Sequence, residues 1–435
     1  MDSLNLAYLC YQALGGLAAL PWVAGSLVCG RFSGTIGDRL GYPVAGGGSP
    51  LWLHSASVGE ARSAITLGKI LSTYYPERKI LLSVGTPLGL EFARDTVKGL
   101  SNFQTMAQPI DVWGAPNRTF NLVAPSALII IETELWPGLI QQAKKRQIPL
   151  ILACGRLSPK STARYQKIPW LIKPILQAFH LITAISPEDS ERFLRLGANP
   201  TTLKVLGFPK HDELVTLALA ADVPETSLTP PYLVIAGSTH PGEEEIILSA
   251  LLKLFLTYTV SGLEYNKNPS PIKLILAPRH TNRAHQVLKL AQDMGFAAQM
   301  FNTPELPREQ YPDVGVVSKI GILRNFYRQG DLAVVGGSLV AGTGHNPLEP
   351  AALARASIFG PNMGSFLSPA RALMDKGAAK MVLPVNLHTV LAHFLADPQI
   401  AREAGLRGRE LVASLGLAAP VVAEAIKEKL DQAGL

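Results

Sequence analysis

Cysteine is scarce in this sequence, with only Cys10, Cys29 and Cys154 among 435 residues. They are far apart, which argues against a zinc ribbon and against a small disulfide-linked domain. A strong excess of one charge is also missing, because 40 basic residues face 33 acidic ones and the two signs alternate along most of the chain. This mild basicity permits an anionic ligand or an anionic membrane face, but it gives no reason to expect nucleic acid.

The low hydrophobicity that marks a disordered chain is absent as well. Apolar residues make up 47% of the sequence, which is ample for packed cores. The length of 435 residues exceeds what a single hydrophobic core usually supports, which is about 250 to 300 residues. The chain is therefore predicted to fold into two or more domains.

Residues 3 to 30 contain no Asp, Glu, Lys, Arg or His. Because about 20 such residues cross a bilayer core as a helix, residues 1–30 are predicted to be a membrane anchor. Arg31 and Arg39 follow this segment and Asp2 precedes it, which favours a cytoplasmic body and argues against a cleavable signal peptide. Pro21 and several interior Gly and Ser residues leave two other interpretations open, a helix in the membrane interface and a buried amino-terminal helix.

From residue 50 onwards, short apolar runs alternate with amphipathic stretches, a pattern typical of parallel sheets covered by helices. Residues 221–231 are rich in Pro, Ser and Thr and are predicted to be a linker, and residues 261–271 a surface loop. The sequence thus predicts an α/β fold with two Rossmann-like domains, 31–220 and 232–435, and a cleft between them. Strands are predicted at 51–56, 79–85, 127–131, 149–154, 181–185, 203–207, 232–237, 273–277, 314–317, 331–335 and 357–359.

Polar residues follow most of the predicted strands. In open parallel sheets, ligands bind beyond the carboxyl ends of the strands, so these residues are the first candidates for a site. They are mostly charged in the first half of the chain and mostly hydroxyl, imidazole or glycine in the second. The candidates are Ser57, Gly59, Glu60, Glu132, Glu134, Arg156, Lys210 and Asp212 in the first half, and Ser238, Thr239, His240, Arg279, His280, Gly336, Gly337 and Ser338 in the second.

Three of the acidic candidates each have two interpretations. Glu60 opens a predicted helix, where a carboxylate either stabilises the free amides of the first turn or takes a proton as a general base. Glu132 and Glu134 interrupt an apolar run at the end of a strand. They either divide acid and base roles between them or cap the helix that begins at Trp136 and Pro137.

The second half offers groups that suit an anion. Gly336, Gly337 and Ser338, followed by Gly342 and Gly344, precede a predicted helix near residues 346–353, an arrangement that suits a phosphate, although the Gly-Lys-Ser/Thr ending of a P-loop is missing. Arg279 either binds a phosphate or forms a structural ion pair. No metal is predicted, because ligand spacing is lacking among His240, His280, His285 and His345.

Six motifs together resemble one family. In order they are HSASVGE at 54–60, IETELWPGLI at 131–140, GRLS at 155–158, STHPGEEE at 238–245, APRH at 277–280 and VGGSLVAGTGHNPLEP at 335–350. They resemble the 3-deoxy-D-manno-octulosonic acid (Kdo) transferases, membrane-associated enzymes that build the inner core of lipopolysaccharide. The resemblance covers nearly the whole chain. It implies a GT-B fold, in which the first domain mainly holds the acceptor and the second mainly holds the nucleotide sugar.

The resemblance further implies an inverting transfer of Kdo from CMP-Kdo to the glucosamine disaccharide of a lipid A precursor. The reaction would take place at the cytoplasmic face of the inner membrane, without a metal or other cofactor. Glu60 matches the family's general base, and Glu132 matches a second required acid. Arg279 matches the contact to the nucleotide phosphate, Glu349 the acid near the ribose, and Lys210 a lysine that contacts an anionic group. The other substrate-binding positions in these motifs are Gly59, Arg156, Ser238, His240, Pro278, Gly321, Gly337, Ser338 and Asn346.

One segment departs from the family pattern. The run Ser318-Lys319-Ile320-Gly321-Ile322-Leu323 stands where the family usually has Asp-x-Met/Phe-Gly-x-Leu, so an acid near the nucleotide is lost. Two alternatives stay open because one fold hosts many chemistries. The first is a GT-B enzyme that uses a UDP-sugar, such as a cell-wall glycosyltransferase or a sugar 2-epimerase. The second is a membrane-tethered nucleotide-binding protein without catalysis.

Overall fold

The computed structural model describes residues 8–9, 11–13, 15–17, 20–21, 25, 34–44, 47–220, 225–260, 271–303 and 306–435. The chain divides into two compact units, the first formed by Met1–Asp212 with Leu417–Leu435 and the second by Glu213–Gly416. The predicted second domain, 232–435, included the last helix of the chain, whereas the structure groups that helix with the first unit.

The first unit is built on a seven-stranded parallel sheet with the order β3-β2-β1-β4-β5-β6-β7. The sequence order of the strands reverses between β1 and β4, and such a switch point is where open α/β sheets bind ligands. Its strands are β1 Leu51–Ser55, β2 Ile80–Val84, β3 Phe103–Ala107, β4 Ala127–Ile131, β5 Leu150–Gly155, β6 Leu181–Ala184 and β7 Leu203–Val205.

The second unit repeats this plan with another seven-stranded parallel sheet, in the order β10-β11-β9-β8-β12-β13-β14. Its switch point lies between β8 and β12. Its strands are β8 Tyr232–Thr239, β9 Ile272–Pro278, β10 Ala298–Phe301, β11 Val314–Val317, β12 Leu332–Val335, β13 Ala356–Phe359 and β14 Ala379–Met381.

Several helices begin where the sequence supplies a hydroxyl cap after a strand. Ser57, Thr86, Ser158 and Ser186 each accept a hydrogen bond from an amide of the first helical turn, and Pro follows directly in the last three cases. In the first unit the helices are Ile36–Arg39, Val58–Tyr74, Pro87–Val97, Ala115–Val123, Pro137–Lys145, Pro159–Tyr165, Pro169–Leu176, Pro187–Arg195 and Ala418–Gln432, and Asp212–Leu219 leads into the second. The second unit contains Glu243–Val260, Ala284–Asp293, Leu323–Gln329, Leu348–Ala352, Leu367–Asp375, Leu387–Ala396 and Pro398–Ser414.

The first sheet is buried on both faces. Leu53 and Ile129 lie in one apolar cluster, while their neighbours Trp52, Leu128 and Ile130 lie in another on the opposite face. Successive strand residues point to opposite faces, so a strand covered on both sides needs an unbroken apolar run. This explains why β1 and β4 were recognisable in the sequence.

The last helix of the chain, Ala418–Gln432, completes the first core. Val422 and Ile426 are fully buried in the cluster that contains Leu71. The Asp212 carboxylate accepts hydrogen bonds from the Ala418 and Ala419 amides, at 2.8 and 2.7 Å, and so caps this helix.

The α/β prediction is confirmed, and each predicted strand is present to within about two residues. Three strands were missed, β3, β10 and β14. All three lie at a sheet edge, and each contains exposed or half-exposed residues that interrupt an apolar run.

Much of the predicted anchor, residues 1–30, lies outside the described residues, as do 221–224 of the predicted linker and 261–270 of the predicted loop. Within the described part of the chain, no helix combines the length and the apolar character needed to cross a bilayer. One described amino-terminal residue, Gln12, is bonded to a distant residue of the first unit, since its side-chain amide nitrogen donates to the Asp111 carbonyl at 2.8 Å.

Candidate active site

The first switch point carries Glu60 on the helix that follows β1. Its carboxylate turns back over the start of the helix and accepts hydrogen bonds from the Ala56 amide at 2.6 Å and the Ser57 hydroxyl at 3.0 Å. The Glu60 amide in turn donates to the Ser57 hydroxyl at 3.4 Å. This reciprocal arrangement is a variant of the capping box, so Glu60 does stabilise the helix start as one interpretation expected. It also fixes a partly exposed carboxylate at the ligand-binding edge of the sheet.

Glu132 lies at the other side of this switch point, directly after β4. It is only 8% exposed, and its carboxylate forms an ion pair with the Lys210 ammonium. A β-carbon added at Gly59 would lie 3.3 Å from the Lys210 nitrogen, so this lysine also lies over the turn that carries Glu60. Lys210 therefore connects the ends of β1 and β4.

Glu134 adds a third carboxylate to the group. It accepts a hydrogen bond from the Trp136 indole at 2.9 Å. Burial raises the pKa of Glu134, and the charges of Glu60 and Glu132 raise it further, which places all three acids within electrostatic range of one another. A carboxyl group whose pKa is raised by burial and by neighbouring carboxylates is an arrangement common in acid–base sites.

A cationic group lies beside these acids around the ring of Phe208. The Arg156 guanidinium is 6.0 Å and the Lys210 ammonium 5.2 Å from the ring centre, and His211 makes an edge contact at 5.3 Å. Burial, followed by the charges of Arg156 and Lys210, lowers the pKa of His211 to about 4, so this imidazole is neutral at pH 7. The sequence analysis did not identify Phe208 and His211, although both stand in the same GFPKHD run as Lys210.

Three residues at strand ends adopt the left-handed conformation that favours glycine. They are Glu132 with φ +59°, Cys154 with φ +59° and Ser238 with φ +58°. Such conformations are costly for residues with a side chain and concentrate at functional sites. Their position at the carboxyl ends of β4, β5 and β8 agrees with the location of both candidate groups.

The second switch point is organised around Glu243, which the sequence analysis did not single out. Its carboxylate is fully buried and accepts four backbone N–H groups, from His240, Gly337, Ser338 and Leu339, at 2.6 to 2.9 Å. The amides that were expected to meet a phosphate are therefore already bonded to a carboxylate of the same chain.

Ser338 illustrates the correction. It is fully buried; its hydroxyl donates to the Val335 carbonyl at 2.5 Å and accepts from the Gly360 amide at 2.8 Å. Asn362, which was also not singled out, donates to the Ser338 and Val340 carbonyls at 3.2 and 2.8 Å. This turn is thus a buried structural element whose amides bind Glu243, where the sequence suggested that they would bind a phosphate.

Three histidines lie next to that turn. The Nε2 atoms of His240 and His345 are 2.9 Å apart, so one ring donates a hydrogen bond through its N–H and the other accepts it. His280 lies edge-on to His240 at 6.2 Å. Burial lowers the pKa of His345 to about 4, and the nearby charges of His240, Arg279 and His280 contribute. Among the described residues, no group of three His, Cys, Asp or Glu side chains is arranged to hold a metal ion.

Arg279 and Glu349 lie within electrostatic range of each other. Arg279 is exposed directly after β9, and its backbone amide donates to Thr239 at 3.0 Å. Burial raises the pKa of Glu349, while the charges of Arg324 and Arg279 partly oppose that shift. Asn346 is used locally, since its side-chain oxygen accepts from the Leu348 amide at 3.1 Å. Gly321 has a φ of +89° and no atom near its missing side chain, and Pro278 is buried in β9.

The geometry therefore groups the candidate residues by unit. Glu60, Gly59, Glu132, Arg156 and Lys210 lie together in the first unit. In the second unit, Ser238, His240, Gly337 and Arg279 lie close to one another around the ends of β8 and β9.

Comparison with known proteins gives consistent matches. The family model described as 3-deoxy-D-manno-octulosonic-acid transferase (kdotransferase) matches residues 34–213. The chain is 35% identical to the 3-deoxy-D-manno-octulosonic acid transferase of Haemophilus influenzae, over 77% of this chain and 75% of that protein. It is 32% identical to the enzyme of the same name from Aquifex aeolicus, over 72% of this chain and 76% of that protein.

A solved structure supports the fold. MurG of Acinetobacter baumannii aligns with a TM-score of 0.53 at 15% identity, covering 87% of this chain and 100% of that one. At this identity the similarity shows the shared architecture alone, which is that of the GT-B glycosyltransferases.

Proposed function

This chain belongs to the 3-deoxy-D-manno-octulosonic acid (Kdo) transferase family, and we propose that it transfers Kdo from CMP-Kdo to the glucosamine disaccharide of a lipid A precursor. The transfer inverts the anomeric centre and releases CMP. The observation that carries the proposal is the group of three carboxylates and one lysine at the first switch point.

Glu60 is the proposed general base. A sugar hydroxyl attacks poorly until its proton is removed, and a positioned carboxylate typically contributes about 10² to 10⁴-fold to such a step. Hydrogen bonds from Ala56 and Ser57 fix the Glu60 carboxylate without burying it completely, which leaves oxygen lone pairs free for an acceptor hydroxyl.

Glu132 and Lys210 are proposed to act as a pair. Glu132 orients the lysine, and the lysine together with Arg156 offers positive charge to an anionic substrate group, either the Kdo carboxylate or an acceptor phosphate. The neutral state of His211 keeps the charge of this group from rising further.

The second unit is proposed to bind the CMP moiety. Arg279 is exposed at a strand end and suits the phosphate, whose negative charge grows as the bond to Kdo breaks. Glu349, within range of Arg279, suits the ribose hydroxyls. No metal or other cofactor is proposed. We also propose that the protein works at the cytoplasmic face of the inner membrane, because its acceptor is a lipid.

The direct test incubates the purified full chain in detergent with a lipid A precursor, CMP-Kdo and a chelator, followed by mass spectrometry of the lipid. We expect the lipid to gain the mass of one or more Kdo units. Absence of any gain from folded protein that binds CMP would refute the proposed acceptor. Stronger binding of UDP than of CMP would instead support the UDP-sugar alternative.

Glu60→Gln tests the base. The amide keeps the size, and its oxygen can still accept from the Ala56 amide while its NH₂ group donates to the Ser57 hydroxyl, but it cannot take a proton. We expect the transfer rate to fall by at least about 10²-fold while CMP affinity stays unchanged. Glu91→Gln, which removes an exposed carboxylate from a neighbouring helix, is the matched control. Near-normal turnover of Glu60→Gln would assign Glu60 to capping alone.

A further inference from the structure

The positive charge of this chain is concentrated in one stretch. The 53 residues from 135 to 187 contain eight Lys or Arg residues and no Asp or Glu, so the remainder of the chain, with 32 basic and 33 acidic residues, is almost neutral. Elsewhere along the sequence basic and acidic residues alternate, whereas residues 135–187 carry basic residues only. A stretch of this kind marks a surface that attracts an anionic partner.

Half of these cations are exposed side chains of two consecutive helices and their connection in the first unit. Helices Pro159–Tyr165 and Pro169–Leu176 follow each other across the connection 166–168, and we call this helix–turn–helix segment the hairpin. Its inner side chains, including Ile172 and Ile175, are buried in the first core. The exposed side chains define what we call the hairpin surface, which consists of Lys160, Arg164, Lys167, Trp170 and Lys173.

The spacing of these residues places four of them in two pairs, one on each helix. Lys160 and Arg164 are four residues apart on one helix, and Trp170 and Lys173 are three apart on the next, so each pair shares a helix face. Trp170 is 50% exposed, which is unusual for so large an apolar side chain in water. Exposed Trp flanked by Lys and Arg is typical of surfaces that lie in a membrane interface.

The surrounding acids do not neutralise this surface. On the adjacent helix Pro187–Arg195, Asp189 pairs with Arg192 and Glu191 pairs with Arg195. Within the described part of the chain, none of the four hairpin cations forms an ion pair with an acid.

The hairpin also adjoins the candidate active site. Tyr165, on its inner side, packs in the cluster that includes Leu135 and Trp136. Burial raises the pKa of Tyr165, Arg164 lowers it, and the Glu134 carboxylate raises it, so the ring lies within electrostatic range of the acidic group.

We propose that the hairpin surface binds the anionic head groups of a lipid bilayer and thereby holds the first unit against the membrane. Charge complementarity favours this occupant, and Trp170 adds an apolar group that enters the interface. The idea that this bilayer also carries the lipid acceptor rests on the function proposed above. The binding of the hairpin surface to the bilayer does not depend on that function.

The test is co-flotation of the full chain with vesicles. Vesicles of phosphatidylcholine containing about 30% phosphatidylglycerol are compared with phosphatidylcholine alone, at low and high salt. Each cation near an anionic surface contributes about fivefold in affinity, so the variant K160Q/R164Q/K167Q/K173Q, which loses four, should bind anionic vesicles roughly 600-fold more weakly. Binding to phosphatidylcholine alone should not change, which separates this surface from the apolar amino terminus.

The matched control is K144Q/K145Q, two exposed lysines of the same acid-free stretch that lie outside the hairpin. It should bind as the unaltered chain does. All four hairpin cations are exposed, and unchanged circular dichroism and thermal unfolding would verify the fold of the variant. Trp170→Ala should weaken binding severalfold with little dependence on salt.

Two results would overturn the proposal. One is anionic-vesicle binding by the quadruple variant that equals that of the control. The other is a changed oligomeric state in sedimentation velocity with unaltered vesicle binding, which would assign the surface to a second copy of the chain. Kdo transfer in detergent is measured alongside. Its absence in the unaltered chain would refute the proposed function, while the flotation result would still decide the role of the hairpin surface.

Discussion

The Glu243 carboxylate, with its four backbone donors, replaces an external anion at the second switch point. Hydrogen bonds to an ionised group are stronger than those between neutral groups, and a buried carboxylate without them would be costly. The turn at residues 336–339 and the loop at 238–240 are therefore held in place by one side chain. This makes Glu243 a positioning residue for the neighbouring His240 and Arg279.

Glu243→Gln should disturb that arrangement. The amide NH₂ group faces backbone N–H groups and cannot accept from them, so two buried donors lose their partner, because each Glu243 oxygen accepts from two of the four. We expect a loss of about 3 kcal/mol in unfolding free energy and a CMP affinity lowered on the order of tenfold. Denaturant unfolding and calorimetric titration with CMP measure the two effects.

Glu245→Gln is the matched control, because Glu245 lies in the same helical turn but is exposed. It should change neither quantity. Equal effects of the two substitutions would show that the loss of charge, rather than the buried contacts, is responsible.

His54 gives the first unit a pH-dependent stability. It is fully buried, with Nδ1 2.8 Å from the Ser83 hydroxyl, and burial, with a contribution from Arg39, lowers its pKa to about 3. Between its ordinary pKa of about 6.5 and pH 3, the unfolded chain binds a proton that the folded chain does not, so stability falls as pH falls.

His54→Asn should remove this contribution. Between pH 6 and pH 5 the unaltered chain loses unfolding free energy through this histidine, and the variant does not. The decrease over this range should therefore be about 1 kcal/mol smaller in the variant, as measured by urea denaturation at the two pH values. The comparison concerns the slope with pH, so a general loss of stability in the variant does not affect it. Parallel slopes would mean that His54 is protonated or exposed in the folded protein.

Sequence reasoning identified the residues of the first switch point because they interrupt apolar strands with charges. Glu60, Glu132 and Lys210 were all expected at strand ends, and the structure brings them together. The role of Glu243 was not accessible in this way. Its partners at 337–339 are nearly 100 residues away, and no local pattern distinguishes it from its neighbours Glu244 and Glu245.

At the scale of elements, the central strands were predictable, whereas three of the four edge strands, β3, β10 and β14, were not. A strand such as β4, with every residue buried, must be apolar throughout, and it appears in the sequence as an unbroken run. The edge strand β3 has half-exposed Gln104 and Thr105 and lacks this signal. Its pairing with β2 comes from the tertiary structure, which local propensity does not encode.

The cap of the last helix offers a test at this scale. Asp212→Ala removes the acceptor for the Ala418 and Ala419 amides, and we expect a loss of about 1 to 2 kcal/mol in the unfolding free energy of the first unit. Urea denaturation is the measurement. Asp95→Ala, at an exposed position near the end of helix Pro87–Val97, should have little effect. An unchanged midpoint for Asp212→Ala would show that the cap contributes nothing.

At the scale of the whole molecule, the two units depend on the carboxyl terminus to different degrees. Deletion of residues 417–435 removes Val422, Ile426 and Leu430 from the first core. The second unit, Glu213–Gly416, keeps all of its helices and strands. We expect the truncated chain to lose the cooperative unfolding of its first unit while its second unit still unfolds cooperatively. Proteolysis with mass spectrometry would detect this as selective cleavage within residues 34–212.

The position of that last helix also has a consequence for biosynthesis. The last helix covers one face of helix Val58–Tyr74. After helix Val58–Tyr74 has been synthesised, about 350 more residues must be added before the covering helix exists. At translation rates of about 5 to 20 residues per second, this interval lasts roughly 20 to 70 s. The part of the chain made first is thus finished last, and for that time the nascent polypeptide presents an apolar patch that chaperones recognise.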